Sequence, residues 1–108
     1  MHARVWQLQI RPGKVQHFKD TLSSVVDLAR QQAGFHGVLA LSSGKSESPD
    51  VTVVALWDSL QAIRVSEKTL FLTEAISRYL TCCKGLPHIT EQELLANDFI
   101  TASLRVKA

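Results

Sequence analysis

Val51-Thr52-Val53-Val54-Ala55-Leu56-Trp57, closed by Asp58-Ser59, is the stretch that decides the fold. Its apolar residues occupy both parities of a strand, so both faces of that strand are expected to leave water. A chain of 108 residues can build one core, but surface still dominates at this size. One face can be covered from within the chain. Covering the other calls for a partner.

Working outward, Arg4 to Arg11 alternates, with Trp6, Leu8 and Ile10 on one face and Val5, Gln7, Gln9 and Arg11 on the other. Arg11-Pro12-Gly13-Lys14 ends this strand and is expected to start a helix, because Pro lacks an amide and fixes φ at a helical value. From Lys14 to Gln32, Val15, Phe18, Leu22, Val25, Val26 and Ala29 recur at steps of three and four, one stripe of an amphipathic helix. Ala33-Gly34 stops it. Phe35 to Ser42 is extended, and residues 43–50 have turn composition, which predicts a hairpin with the opening strand.

Beyond Trp57, Asp58 with Gln61 reads as a capping box for a short helix through Leu60 and Ile63. A second helix is expected from about Lys68 to Lys84, ended by Gly85-Leu86-Pro87. Thr90 with Glu93 makes another capping box, which predicts a short helix over 90–97, and Phe99 to Val106 reads as the final strand.

The order strand, helix, strand, strand, helices, strand predicts a ferredoxin-like α+β fold. It has a four-stranded antiparallel sheet with helices on one face and the first and third strands central. A solvated second face should alternate cleanly, and the two middle strands do not. Residues 1–108 are therefore read as a single domain that forms a homodimer through the sheet face, where each buried aliphatic contributes roughly 1.5–3 kcal/mol.

Composition narrows the function. With 45% hydrophobic and 20% charged residues the chain is globular, and its 12 basic and 10 acidic residues are scattered rather than striped, which disfavours nucleic acid as a partner. No apolar run approaches the ~20 residues of a membrane span, and no signal-peptide pattern opens the sequence, so a cytoplasmic protein is expected. The only cysteines, Cys82 and Cys83, are adjacent on a predicted helix and cannot easily bridge, which suits a reducing compartment. Cys83 is expected to pack and Cys82 to be partly exposed. No two of the four histidines share ligand spacing, so no metal site is expected.

Three segments together carry a resemblance: Ile10-Arg11-Pro12-Gly13-Lys14, Ala33-Gly34-Phe35-His36-Gly37 and Ala55-Leu56-Trp57-Asp58-Ser59. In order and spacing they resemble the antibiotic biosynthesis monooxygenase family over roughly residues 4 to 84. The resemblance implies the dimeric α+β barrel, two sheets face to face, with a substrate pocket between sheet and helices of each protomer. It also implies oxygenases of quinols and aromatic polyketides that need no metal or flavin cofactor, alongside heme-degrading members. The heme-degrading branch uses an Asn on the first strand and a Trp and a His on the later helices. The matching positions here hold Trp6, Ser66 and Ile76 or Ser77, so heme degradation is not expected.

Against that background His36 and Tyr79 are the candidate catalytic residues, a base of near-neutral pKa and a phenolic donor. Trp6, Trp57 and Arg64 are the candidate substrate-binding residues, the tryptophans walling an apolar slot and the arginine holding an anion at its mouth. Each has a plainer reading beside it: a solvated histidine, a buried tyrosine, core tryptophans, a solvated helix arginine. Two functions stay open, a cofactor-independent monooxygenase of a small aromatic or quinol-like ligand and a non-catalytic dimeric module of the same fold.

Overall fold

The structure is a computed structural model that describes residues 1–44 and 47–96. Its elements run β1 (His2–Gln9), α1 (Val15–Ala29), β2 (Phe35–Ser42), β3 (Asp50–Trp57), α2 (Leu60–Glu67), α3 (Phe71–Tyr79) and β4 (His88–Glu93). The strands form one antiparallel sheet in the order β2-β3-β1-β4, which puts β1 and β3 in the centre as the order of elements predicts.

The register sorts the side chains. Trp6 lies opposite Val53 and Leu8 opposite Val51, and all four are buried on the helix-covered face. Gln7 opposite Thr52 and Val5 opposite Val54 lie on the other, open face, where Thr52 Oγ1 donates to Gln7 Oε1 at 2.9 Å. On β2 an irregularity between Phe35 and Gly37 shifts the pleat, so Phe35 and Val38 both pack toward the helices although their sequence parities differ. Leu39 and Leu41, opposite Val54 and Thr52, are left on the open face.

The helices cover their side with periodic stripes. Phe18, Thr21, Val25 and Ala29 of α1 and Phe71, Ala75 and Tyr79 of α3 are buried at helical spacing. A larger core joins Trp6, Ile10, Phe18, Val53, Tyr79 and Cys82, and a smaller one joins Ala29, Trp57, Ile63 and Phe71.

Five expectations change in detail. The helix expected from Lys68 to Lys84 is shorter, Phe71–Tyr79, and Cys82 and Cys83 lie beyond its end. Pro12-Gly13 does not begin α1. Lys14 N–H donates to Arg11 O at 3.0 Å and Gly13 has φ 74°, so the pair forms a turn with Pro second and a left-handed Gly third, and the helix starts at Val15. The cap of α2 is Ser59, whose hydroxyl accepts the Ala62 N–H at 3.1 Å; Asp58 is turned toward His36 instead. Cys82 is as buried as Cys83, because the turns after α3 fold back on β1 through Arg11 N–H to Cys82 O at 2.9 Å and Lys84 N–H to Gln9 O at 2.8 Å.

The helix expected over 90–97 is also overturned: His88–Glu93 is a strand that pairs with His2 to Gln7 of β1. Cross-strand pairing outweighs the local helical preference of Glu91-Gln92-Glu93, and a charged sequence suits an edge strand. The strand expected over 99–106 lies outside the described residues.

Candidate active site

A slot opens between the sheet and the helices. Its floor is Arg4, Trp6, Val53, Ala55 and Trp57, its near wall is α1 from Leu22 to Ala29, and Phe71 and Tyr79 of α3 close it opposite. About 350 Å³ lies between these side chains, mouth included, but only about 20 Å³ of it admits the centre of a water molecule. The slot is therefore narrow and nearly filled by its own aromatics.

Those aromatics set its shape. Trp6 meets Tyr79 edge-on with ring centres 5.3 Å apart, and Trp57 stands edge-on between Phe35 at 5.3 Å and Phe71 at 6.0 Å. Such pairs are worth about 0.5–1.5 kcal/mol beyond their buried area, so the walls are held as a unit. Burial first, and then the neighbouring Cys83 and Cys82, raises the Tyr79 phenol well above its ordinary pKa. At neutral pH it is an uncharged donor and not a base. Burial and Cys82 likewise push the Cys83 thiol up to about 12, and a thiol held protonated in this way is a poor nucleophile.

Of the residues singled out in the sequence, Trp6, Trp57 and Tyr79 meet at the slot. His36 and Arg64 do not line it. His36 lies on the surface with its Nε2 bonded to Asp58 Oδ1, both side chains well exposed. This contact ties two of the sequence segments together: Asp58 N–H donates to Gly34 O at 2.8 Å, and Gly34 has φ 88° with the Ala62 Cβ only 2.7 Å from where its own Cβ would stand. Glycine is required there on both counts. Arg64, half exposed, donates from Nη1 to Glu91 at 2.6 Å and to Glu67 at 2.7 Å, contacts that raise its pKa, Glu91 first.

Sequence reasoning passed over one residue of the slot. Arg4 is 2% exposed, on the helix-covered face of a central strand, and donates from Nη2 to Glu67 Oε1 at 2.5 Å. Burial pushes the Glu67 carboxyl up, yet Arg64 and Arg4 together outweigh it and hold it below its usual value. Arg4, Glu67, Arg64 and Glu91 thus form a chain of alternating charge from the slot floor to the surface. The signal was available: Arg4 shares the parity of Trp6, Leu8 and Ile10, and a cation on the apolar parity of a central strand needs an explanation.

A four-stranded antiparallel sheet with helices on one side and an aromatic slot between them defines a small ferredoxin-like α+β fold. The family model for antibiotic biosynthesis monooxygenase matches residues 1–75, and the chain belongs to that family. Solved structures share the fold. A Bordetella bronchiseptica protein named after the same family superposes with a TM-score of 0.74 at 17% identity, covering 88% of this chain and 97% of that one. SnoaB from Streptomyces nogalater, a cofactor-independent oxygenase, gives 0.71 at 10% identity over 89% and 95%. NE2512 from Nitrosomonas europaea, of unknown function, gives 0.67 at 21% identity over 91% and 92%. No curated protein matches the chain by sequence.

Proposed function

We propose that this chain is a cofactor-independent monooxygenase of a small aromatic or quinol-like substrate, bound in the slot bounded by Trp6, Trp57 and Tyr79. The observation that carries the reading is the slot itself, an aromatic-walled cleft between sheet and helices in a chain of this family. In the simplest balanced case a ring CH2 reacts with O2 to give a ring carbonyl and water. The electrons come from the ionised substrate. The protein's part is to exclude water and orient the ring, with the neutral Tyr79 phenol as a hydrogen-bond donor to a substrate oxygen. In this reading His36 serves as a surface base beside Asp58, and Arg64 draws an anionic substrate to the mouth.

The working unit is proposed to be a homodimer formed through the open sheet face, where Leu39 and Leu41 are 50% and 60% exposed. The buried free thiols of Cys82 and Cys83 suit the cytoplasm. Among the described residues no helix is long and apolar enough to cross a membrane. Residues 1–108 act as one domain.

Oxygen uptake with a panel of quinols and anthrones tests the reaction: turnover is expected from the wild type and its loss in a Trp6, His36, Tyr79 triple variant, and equal traces from both sink it. The small free volume of the slot favours a second reading, a non-catalytic dimer module whose aromatics are core. Thermal shift with aromatic ligands separates the two, since a ligand that binds the folded state raises the midpoint and a filled core stays silent.

A further inference from the structure

We propose that Arg4 and Trp57 form a buried anion-receiving corner of the slot, which selects an aromatic ligand presenting an ionised oxygen, a phenolate or enolate. This rests on the oxygenase reading and deepens it by assigning the residues that hold the charge of the ionised substrate, and its binding half can be tested apart from turnover.

Among the described residues, the buried side-chain polar atoms without a hydrogen-bond partner are Nε and Nη1 of Arg4, Nε1 of Trp57 and Nδ1 of His2. They fall on one patch of the sheet. His2 lies directly opposite Trp57 in the β1-β3 ladder, and Arg4 is the next residue along on the same face, diagonal to Trp57. Arg4 and Trp57 also both line the slot. Unpartnered donors buried in an apolar site cost free energy individually, so their convergence on one place is the signature of a missing acceptor.

The protein does not supply that acceptor, although a carboxylate stands close by. Glu91 is directly opposite Arg4 across β1 and β4, yet it bonds Arg64 at 2.6 Å. Glu67 accepts from Arg4 only at Nη2 and shares the same oxygen with Arg64. Arg64 therefore draws both acids toward the surface and leaves two edges of the Arg4 guanidinium open.

The remaining groups decide what fits. Arginine and indole N–H groups donate and cannot accept, so the three open donors of Arg4 and Trp57 call for an acceptor oxygen. Charge-assisted bonds from a guanidinium favour an anion over a neutral carbonyl. The lining around the donors is otherwise apolar, which suits an aromatic ring. A corner of this kind would stabilise the ionised form of a bound phenol, the form that gives up electrons to oxygen.

The test uses the full chain with para-nitrophenol, whose ionised form is coloured, against para-nitrotoluene, a neutral ligand of nearly the same shape. The wild type is expected to bind the phenolate at least about tenfold more tightly, and the bound phenol to titrate at lower pH than the free one. Trp57→Phe, which keeps a ring and removes the donor, is expected to reduce that preference several-fold. The double change Arg4→Met with Glu67→Met, which leaves no unpaired charge behind, is expected to abolish it while nitrotoluene binding persists. Equal binding of the two ligands by the wild type, no binding of either, or a preference that survives the double change overturns the proposal; a trapped water then satisfies the donors. The wild-type titration reads the corner even if a variant fails to fold. Retained preference without oxygen uptake on any substrate removes the oxygenase reading and keeps the corner, and turnover without preference does the reverse.

Discussion

The two faces of the sheet are incomplete in opposite senses. On the helix side the apolar groups are satisfied, with Trp6, Val53 and Trp57 all nearly inaccessible, but donors of Arg4 and Trp57 lack partners. On the open side the polar groups are served, as in the Thr52–Gln7 bond, but Leu39 and Leu41 remain uncovered beside half-buried Val54 and Leu56. Alternate residues of the same strands build both faces. One face asks for a polar atom in an apolar slot and the other for an apolar surface, which is why a ligand is proposed on the first and a second copy on the second.

The largest effects should fall on the helix side. Trp57→Ala removes the ring between Phe35 and Phe71 and is expected to cost about 3–5 kcal/mol in urea unfolding. A loss below about 1 kcal/mol would mean the smaller core is not built on that ring. Glu67→Ala leaves the buried Arg4 guanidinium without its carboxylate, and a loss of about 3 kcal/mol is expected. The open-face change Leu41→Ser, by contrast, should alter the unfolding of a dilute monomer by less than about 0.5 kcal/mol while weakening self-association in light scattering. If the two changes cost the same, the contrast between faces is wrong.

Acid should act on the helix side as well. The Glu67 carboxyl is held below its usual value in the folded state, so its contribution is complete above the unfolded pKa, about 4.3, and is lost as pH falls through the lowered folded value. Urea midpoints between pH 6 and 2, a window of about four units around that pKa, should fall more steeply for the wild type than for Glu67→Gln. Parallel curves would show that Arg4 and Arg64 do not hold the ionised form. Among the changes at the end of β3, Ser59→Ala is expected to cost about 1 kcal/mol from loss of the α2 cap, and Asp58→Ala less because Asp58 does not cap.

The reading of the sequence was strongest where local pattern and burial agree. Phe18, Leu22, Val25 and Ala29 fall on one helical stripe, and the alternation of Trp6, Leu8 and Ile10 could face only one way. It failed where two local patterns compete. Thr90-x-x-Glu93 is a good capping box and also a usable edge strand, and the free N–H and C=O groups of β1 decide between them. Asp58 and Ser59 are both good caps, and the nearby His36 claims Asp58. The candidate site is half legible: Trp6, Trp57 and Tyr79 stand out by apolar periodicity, whereas Arg4 opens the alternating stretch and its buried partner Glu67 lies far away in sequence.

The order of the elements up to α3, the central place of Val51 to Trp57, the excess of apolar surface on both its faces and the family are all legible in the chain. These follow from periodicity, which is local and survives without coordinates. Which acid each arginine takes, which hydrogen-bond donors are left over, and that those donors meet at one corner of the slot emerge from the folded chain alone. Such facts depend on side chains brought together from β1, β3, β4 and α2, and electrostatic partners at that separation leave no period in the chain.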